Sequence, residues 1–415
     1  MIRSSPPDQP HSAPNGGDRS RGDVTRRTSS KEPLIEDQLV DDSTLRRRRV
    51  KQMAAAALAV AAVGLILIAL VFRVPAQDPG TTPAPAPETS ADPNLASGAM
   101  GVSVPGPSLA FAPPEDMALD LDRIAALGAR WVRFDIPWDH VQHADGAWHW
   151  DPYDRAVAAA QDRGLRVLGI LGTVASPSRP PGTDWTQGVT SPEQRRAFAD
   201  YAAQAARRYA GRVTAWEVWN EPNLDQVWAP KPSVNDYAAL LREASAAIRP
   251  ACSGCLIIAG GTGGAIPDTP DIDTKTWYDG LAATGALDGV DAVGIHPYSD
   301  RHNGDKGEMS LSPAVRAALD AHGYQWMPLW GTELGAPQAG DNALSEHDAA
   351  RIVREAYTYW TGNARRLKSG PLFWYTIRNG QDPHHNTQYG LIRDDGTPTL
   401  AYRNLQQIGQ TRSAG

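Results

Sequence analysis

The chain has 415 residues, 41% of them hydrophobic and 21% charged, with a formal net charge of −7. That is enough for one large domain with appendages. Basic residues crowd the first fifty positions, which leaves the acidic remainder no basic face for phosphates and excludes a nucleic-acid-binding main domain.

Residues 1–45 are rich in Pro, Ser, Asp and Arg with almost no apolar periodicity, the composition of a disordered tail. Arg46, Arg47, Arg48, Arg49 and Lys51 then precede an uncharged apolar run from Met53 to Phe72. Twenty residues at a rise of about 1.5 Å just cross a hydrocarbon core of about 30 Å. Residues 46–73 therefore read as a basic cluster and a single transmembrane helix. The positive-inside rule puts the N-terminus in the cytoplasm and everything after Phe72 outside the plasma membrane. A cleaved signal peptide would have a shorter apolar region and a shorter leader, and Val74-Pro75-Ala76 is a poor cleavage site. Residues 74–97, rich in Pro and Ala, form a semi-extended linker.

The folded domain is expected over 98–415. Short apolar strands at 100–104, 129–136, 165–171, 213–220, 255–260, 290–296, 326–332 and 370–376 alternate with amphipathic stretches. Helices are expected at 115–127, 152–163, 192–210, 234–249, 311–322 and 344–363, with a short one near Trp277 and a last one beginning near Pro398. Eight β units alternating with eight helices is the α/β pattern of a (β/α)₈ TIM barrel. A doubly wound sheet would want a phosphate-binding glycine loop after its first strand, and Gly101-Val102-Ser103-Val104-Pro105-Gly106 supplies none. Cys252 and Cys255, the two cysteines, stand between a helix and a strand. They lack the second ligand pair that zinc needs, and a small structural disulfide fits the oxidising compartment.

In such a barrel the chemistry sits at the C-terminal strand ends. The fourth strand ends in Trp216-Glu217-Val218-Trp219-Asn220-Glu221-Pro222-Asn223. The seventh ends in Trp330-Gly331-Thr332-Glu333-Leu334-Gly335. These segments resemble the signatures of the large clan of retaining (β/α)₈ glycosidases that includes cellulase-like, β-xylosidase-like and arabinofuranosidase-like families. The resemblance spans about 100–409. It implies that Glu221 is the acid/base, that Glu333 is the nucleophile, and that Asn220 bonds the sugar 2-hydroxyl. It further implies that Arg133 holds the nucleophile ionised, that Tyr298 holds Glu333, that His296 faces the substrate, and that Trp374 is an aromatic platform under the sugar.

The electrostatic logic stands without the family. An anionic Glu333 favours a proton on Glu221, and glycosylation of Glu333 removes that field and lets Glu221 act as base. Double displacement needs such a pair with carboxyl groups about 5–5.5 Å apart. It needs no cofactor and no metal. The expected partner is a polysaccharide or oligosaccharide at the outer membrane face, a cell-wall, capsular or exopolysaccharide glycan. A transglycosylase would use the same two glutamates, and a non-catalytic glycan-binding barrel would have no use for both.

Other residues read more plainly. Glu217 is expected inside the barrel, Asp135 and Asp139 at helix caps or turns, and His384-His385 in a substrate loop or in solvent. Of Trp138, Trp148, Trp150, Trp185 and Trp228, one or two are expected to stack on sugar rings in outer subsites and the rest to pack the loops down.

Overall fold

The computed structural model describes residues 95–298, 308–338, 343–379 and 388–413. The expected tail, the span at 53–72, residues 74–94 of the linker and the His384-His385 pair lie outside these residues. Among the described residues no helix is long and apolar enough to cross a membrane.

Eight parallel strands close into a barrel in chain order. They are β1 (Met100–Val104), β2 (Trp131–Asp135), β3 (Arg166–Leu171), β4 (Val213–Val218), β5 (Leu256–Thr262), β6 (Ala292–Ile295), β7 (Leu329–Leu334) and β8 (Ser369–Tyr375). Each is followed by a principal helix: α1 (Pro114–Ala126), α2 (Asp151–Gln161), α3 (Pro192–Arg208), α4 (Val234–Ala251), α5 (Thr274–Ala283), α6 (Glu308–Ala321), α7 (Glu346–Gly362) and α8 (Leu400–Ser413). The (β/α)₈ expectation holds.

Two layers of core fix these elements. Trp131, Leu168, Ala215, Ile258, Ala292, Trp330 and Phe373 fill the barrel interior. Their strand neighbours, such as Val132, Trp216, Leu372 and Trp374, belong to the larger core under the helices. This is the period-two alternation of a strand buried on both faces. The helix starts are locally encoded. Ser191 and Gln194 form a reciprocal capping box at α3, and Ser233, Asp273 and Ser345 cap α4, α5 and α7.

Two boundaries differ from the sequence reading in ways that matter. β7 begins at Leu329, after Pro328, which has no N–H to give a ladder, and runs on to Leu334. Glu333 thus belongs to the strand itself. The folded unit also begins before residue 98. Leu95 packs against the interior layer, and Ser97 Oγ bonds Ser369 Oγ at 2.6 Å. Cys252 and Cys255 form a disulfide between α4 and β5, on the N-terminal side of the barrel.

Candidate active site

Above the apolar floor the next inward side chains are polar. Arg133 stands two residues beyond Trp131 on β2, and Glu217 two beyond Ala215 on β4, so both point into the barrel axis. Both are buried. Arg133 Nε donates to Glu217 Oε2 at 2.7 Å. Its Nη1 donates to Ser103 Oγ and to Glu333 Oε2, each at 2.9 Å. Its Nη2 donates to Asn220 Oδ1 at 2.7 Å and faces His296 Nε2 at 3.4 Å. Glu217 Oε1 accepts from Gly261 N at 2.8 Å. Burial works against the Arg133 charge, but Glu217 and Glu333 outweigh it and push its pKa further up.

The guanidinium has five N–H groups and no acceptor. With four spent on Glu217, Ser103, Glu333 and Asn220, the fifth faces the His296 Nε2 lone pair. In the neutral imidazole the proton therefore sits on Nδ1, which donates to Glu221 Oε1 at 2.8 Å. A continuous hydrogen-bonded path runs from Glu333 through Arg133 and His296 to Glu221. Burial pushes the imidazole pKa down, but Glu333 and Glu221 outweigh it and the net direction is up.

Glu333 is held from its other side by Tyr298, whose hydroxyl donates to Oε1 at 2.5 Å. Burial, then the Glu333 charge, raises the Tyr298 phenol well above its ordinary value and keeps it a donor. Irregular register between β7 and β8 around Gly331–Leu334 accompanies the placement of Glu333 next to the inward-facing part of the strand. The two carboxylates are not sealed off: their side chains are 14% exposed for Glu333 and 20% for Glu221.

β4 ends at Val218 because the backbone turns left-handed at Trp219 (φ 71°) and again at Glu221 (φ 47°). Non-glycine residues in this region cost about 1–3 kcal/mol each and persist where the surroundings hold them. Here Trp219 N donates to Leu171 O at 2.6 Å and Glu221 N to Gly261 O at 2.8 Å. Asn223, fully buried, locks the same loop by bonding Gly263 O and Ile272 O, both at 2.8 Å. The β5 end is glycine-rich because space demands it. A Cβ on Gly261 would lie 2.4 Å from His296 Nε2, and one on Gly263 would lie 2.4 Å from Glu221 Oε1.

Six of the seven residues singled out in the sequence thus converge: Glu221, Glu333, Asn220, Arg133, His296 and Tyr298. Trp374 does not. It is 1% exposed and packs in the layer under the helices, paired in register with Val102. Phe373 faces the barrel interior, so alternation turns Trp374 outward and brings Tyr375 to the cleft. Burial, then Glu333, Asp135 and Glu221 among its neighbours, raises the Tyr375 phenol. Tyr389 contacts Tyr375 and Tyr298 edge-on at 5.6 and 6.0 Å, and burial with Glu333 and Glu221 pushes it up to about 12. Tyr375, Tyr389, Ser103 and Gly263 were missed. Strand parity could have found Tyr375; the loop that carries Tyr389 has no period to read.

Glu217 is a barrel-interior residue, as expected, and its task is to neutralise Arg133. Asp135 accepts from Gly106 N at 3.1 Å, at the start of the short helix Gly106–Ala110, and Asp139 accepts from Thr173 Oγ1 at 2.7 Å. Of the five loop tryptophans, Trp138, Trp150 and Trp228 are buried and Trp148 is half-buried against the core. Trp185 stands exposed. Among the described residues no group of three or more His, Cys, Asp or Glu is placed to hold a metal ion.

The sequence profile of the cellulase family (glycosyl hydrolase family 5) matches residues 95–381. No curated protein matches the chain. Solved structures do. A family 39 glycoside hydrolase from the gut symbiont Bacteroides cellulosilyticus WH2 is 24% identical with a TM-score of 0.60, covering 75% of this chain and 63% of that one. An exo-β-1,4-mannosidase from Opitutaceae bacterium strain TAV5 is 20% identical with a TM-score of 0.54, covering 77% of this chain and 60% of that one. An endoxylanase of glycoside hydrolase family 10 from a sugarcane soil metagenome is 16% identical with a TM-score of 0.54, covering 75% and 97%. The chain thus spans less than two thirds of the first two structures, and at these identities the likeness is one of fold.

Proposed function

The chain belongs to the cellulase family, glycosyl hydrolase family 5, and from that premise we propose that it is a retaining glycosidase acting on a polysaccharide by double displacement. The observation that carries the proposal is the hydrogen-bonded path Glu333–Arg133–His296–Glu221, which joins two cleft carboxylates, one just beyond strand four and one on strand seven.

The asymmetry of that path supports the division of roles. Glu333 receives a cationic donor at one oxygen and a phenol at the other, so both of its oxygens are held by donors. It is the nucleophile. Glu221 receives a single contact from a neutral-capable imidazole at Oε1, which leaves Oε2 to carry a proton. It is the acid. In the first step Glu333 attacks the anomeric carbon, the glycosidic C–O bond breaks, and the Glu221 proton goes to the departing oxygen. In the second step water gives a proton to Glu221, attacks the same carbon and releases Glu333. Asn220 is fixed through its carbonyl oxygen by Arg133, and its amide is offered to the sugar 2-hydroxyl. Tyr375, rather than Trp374, lines the sugar position beside Glu333.

The proposed location is the outer face of the plasma membrane, with residues 53–72 as a single span and the N-terminus in the cytoplasm. The uncharged run after Arg46–Arg49 supports it, as does a disulfide suited to an oxidising compartment. An extracytoplasmic glycan, such as a wall or capsular polysaccharide, is then the accessible substrate.

The test is turnover of wild type, Glu333→Gln and Glu221→Ala on a panel of β-1,4-mannans, xylans, β-glucans and bacterial wall and capsular polysaccharides. Glu333→Gln should abolish release of reducing sugar. Glu221→Ala should lose on the order of 10²–10⁴-fold; on an aryl glycoside of the accepted sugar, whose leaving group departs without a proton, azide should restore turnover and yield a glycosyl azide of retained configuration. Variants that match the wild type, or an azide product of inverted configuration, would overturn the assignment.

A further inference from the structure

Arg133 is not the last polar side chain on β2. Asp135 stands two residues further along the strand, so it points inward one pleat above Arg133, at the mouth of the barrel. Its register partner on β3 is Ile170, which has the parity of Leu168 in the interior layer. On the other flank, Ser103 of β1 pairs in register with both Arg133 and Tyr375. Asp135 therefore lies one step above the level of Tyr375, with β1 between them. The charges of Arg133 and Glu333 both act on it, and its own charge acts on Tyr375.

The carboxylate is held in place. Asp135 Oδ2 accepts from Gly106 N at 3.1 Å, which draws the group toward the loop after β1. That loop lies tight on the strand: a Cβ on Gly106 would come within 1.9 Å of Asp135 O. A carboxylate offers about four acceptor sites, so one backbone donor from Gly106 leaves others to be used. Asp135 is half-buried, open enough for a ligand to reach. Burial raises its pKa, while Arg133 and Gly106 N pull the other way. The charge around it is one-sided. Arg133 is set against three carboxylates, Glu217, Glu333 and Asp135, and its five N–H groups already face Glu217, Ser103, Glu333, Asn220 and His296.

We propose that Asp135 selects the sugar on the glycone side of the scissile bond: its carboxylate accepts from a hydroxyl of that sugar and excludes a sugar that bears a carboxylate of its own. The inference rests on the glycosidase reading, because it takes Glu221 as the acid. The departing group lies beside the acid, past β4. The barrel closes in chain order, which sets β8 opposite β4 and β1 beside β8. The glycone thus extends to the side on which Asp135 leans over the end of β1. A hydroxyl placed there gains a charge-assisted hydrogen bond. A uronate placed there meets a like charge in a half-buried site, with the guanidinium below it already committed. The substrate class that follows is a glycan uncharged at the glycone position.

The experiment compares hexasaccharides that differ only at C6. The β-1,4-linked hexamers of glucose and mannose are set against those of glucuronate and mannuronate. Wild type should show kcat/KM at least about tenfold higher on the neutral member of the pair it accepts. Where the acidic twin is not turned over, its Ki against turnover of the neutral hexamer gives the same ratio. D135N keeps an oxygen for Gly106 N and loses the charge. It should lower kcat/KM on the neutral hexamer about fivefold and narrow the neutral-to-acidic ratio about tenfold. D135E, which keeps the charge, should keep the wild-type ratio even where kcat falls. A ratio that D135N leaves unchanged, a ratio that D135E loses as D135N does, or a wild type that prefers an acidic hexamer would overturn the assignment. In each case turnover that Glu333→Gln abolishes leaves the glycosidase reading intact. If wild type and Glu333→Gln are alike inert on these hexamers and on the polysaccharide panel, the glycosidase reading falls and the selection by Asp135 falls with it.

Discussion

Arg133 brings five N–H donors to the barrel axis, and the site has a use for each. A lysine in its place would offer a point charge with three donors on a thinner stem. Glu217, fully buried, would then compete with Glu333 for one ammonium. Removing one partner of a buried ion pair costs about 3–5 kcal/mol, since the survivor keeps its charge without water. We therefore expect Arg133→Lys to lower stability by part of that range, as read by chemical denaturation, and to reduce kcat much more than KM, because the Glu333 contact and the His296 orientation both go. A kcat retained within threefold would show that the guanidinium serves the fold alone. At this scale the sequence was eloquent about residues at strand ends, where position alone implies exposure to the cleft. It was silent about Ser103 and Tyr389, which matter through contacts that no local pattern encodes. Trp374 misled because tryptophan is the expected stacking residue. The pleat, which counts from Phe373, selects Tyr375 instead.

The β5 end shows how one element shapes the chemistry of its neighbours without supplying a reactive group. Gly263 leaves room for the Glu221 carboxyl: a Cβ there would lie 2.4 Å from Oε1 and 2.7 Å from the Leu224 side chain. Gly263→Ala should push the Glu221 carboxyl off its bond to His296. A displacement of about 1 Å at a reacting group costs on the order of a hundredfold in rate, and kcat/KM on a poor leaving group should fall by that order. Ser191→Ala offers the contrast. It removes the capping box of α3, whose hydrogen bonds join Ser191 to Gln194 and reach neither carboxylate, and should cost about 1 kcal/mol of stability while kcat/KM stays put. Comparable activity losses in the two variants would mean that Gly263 acts through stability only. The elements themselves were largely legible, since apolar alternation and capping residues are local signals. The ends of β4 and β7 were not. One is set by left-handed backbone at Trp219 and Glu221, the other by Pro328 and a register irregularity, and each depends on what the adjacent strand presents.

The whole barrel divides its labour between two faces. Glu221, Glu333, His296 and Tyr298 all lie at the C-terminal strand ends, whereas the Cys252–Cys255 disulfide closes the α4–β5 connection at the opposite end. In a (β/α)₈ fold the first face carries chemistry and the second carries stability. The alternation of eight β and eight α segments made that division legible from the sequence, and it separates the consequences of two kinds of change. A disulfide that closes a four-residue loop removes little freedom from the unfolded chain, about 2 kcal/mol on the loop-entropy account. The double variant Cys252→Ser/Cys255→Ser should therefore unfold at lower denaturant by that amount and keep its kcat/KM. The apolar interior layer of Trp131, Ala215, Ile258 and Phe373 stands between the α4–β5 connection and the carboxylates. Equal stability in reduced and oxidised protein would remove the structural role of the pair. A fall in kcat/KM at full folding would mean that strain at the base of β5 reaches Gly261 and Gly263, and that the two faces are coupled through that strand.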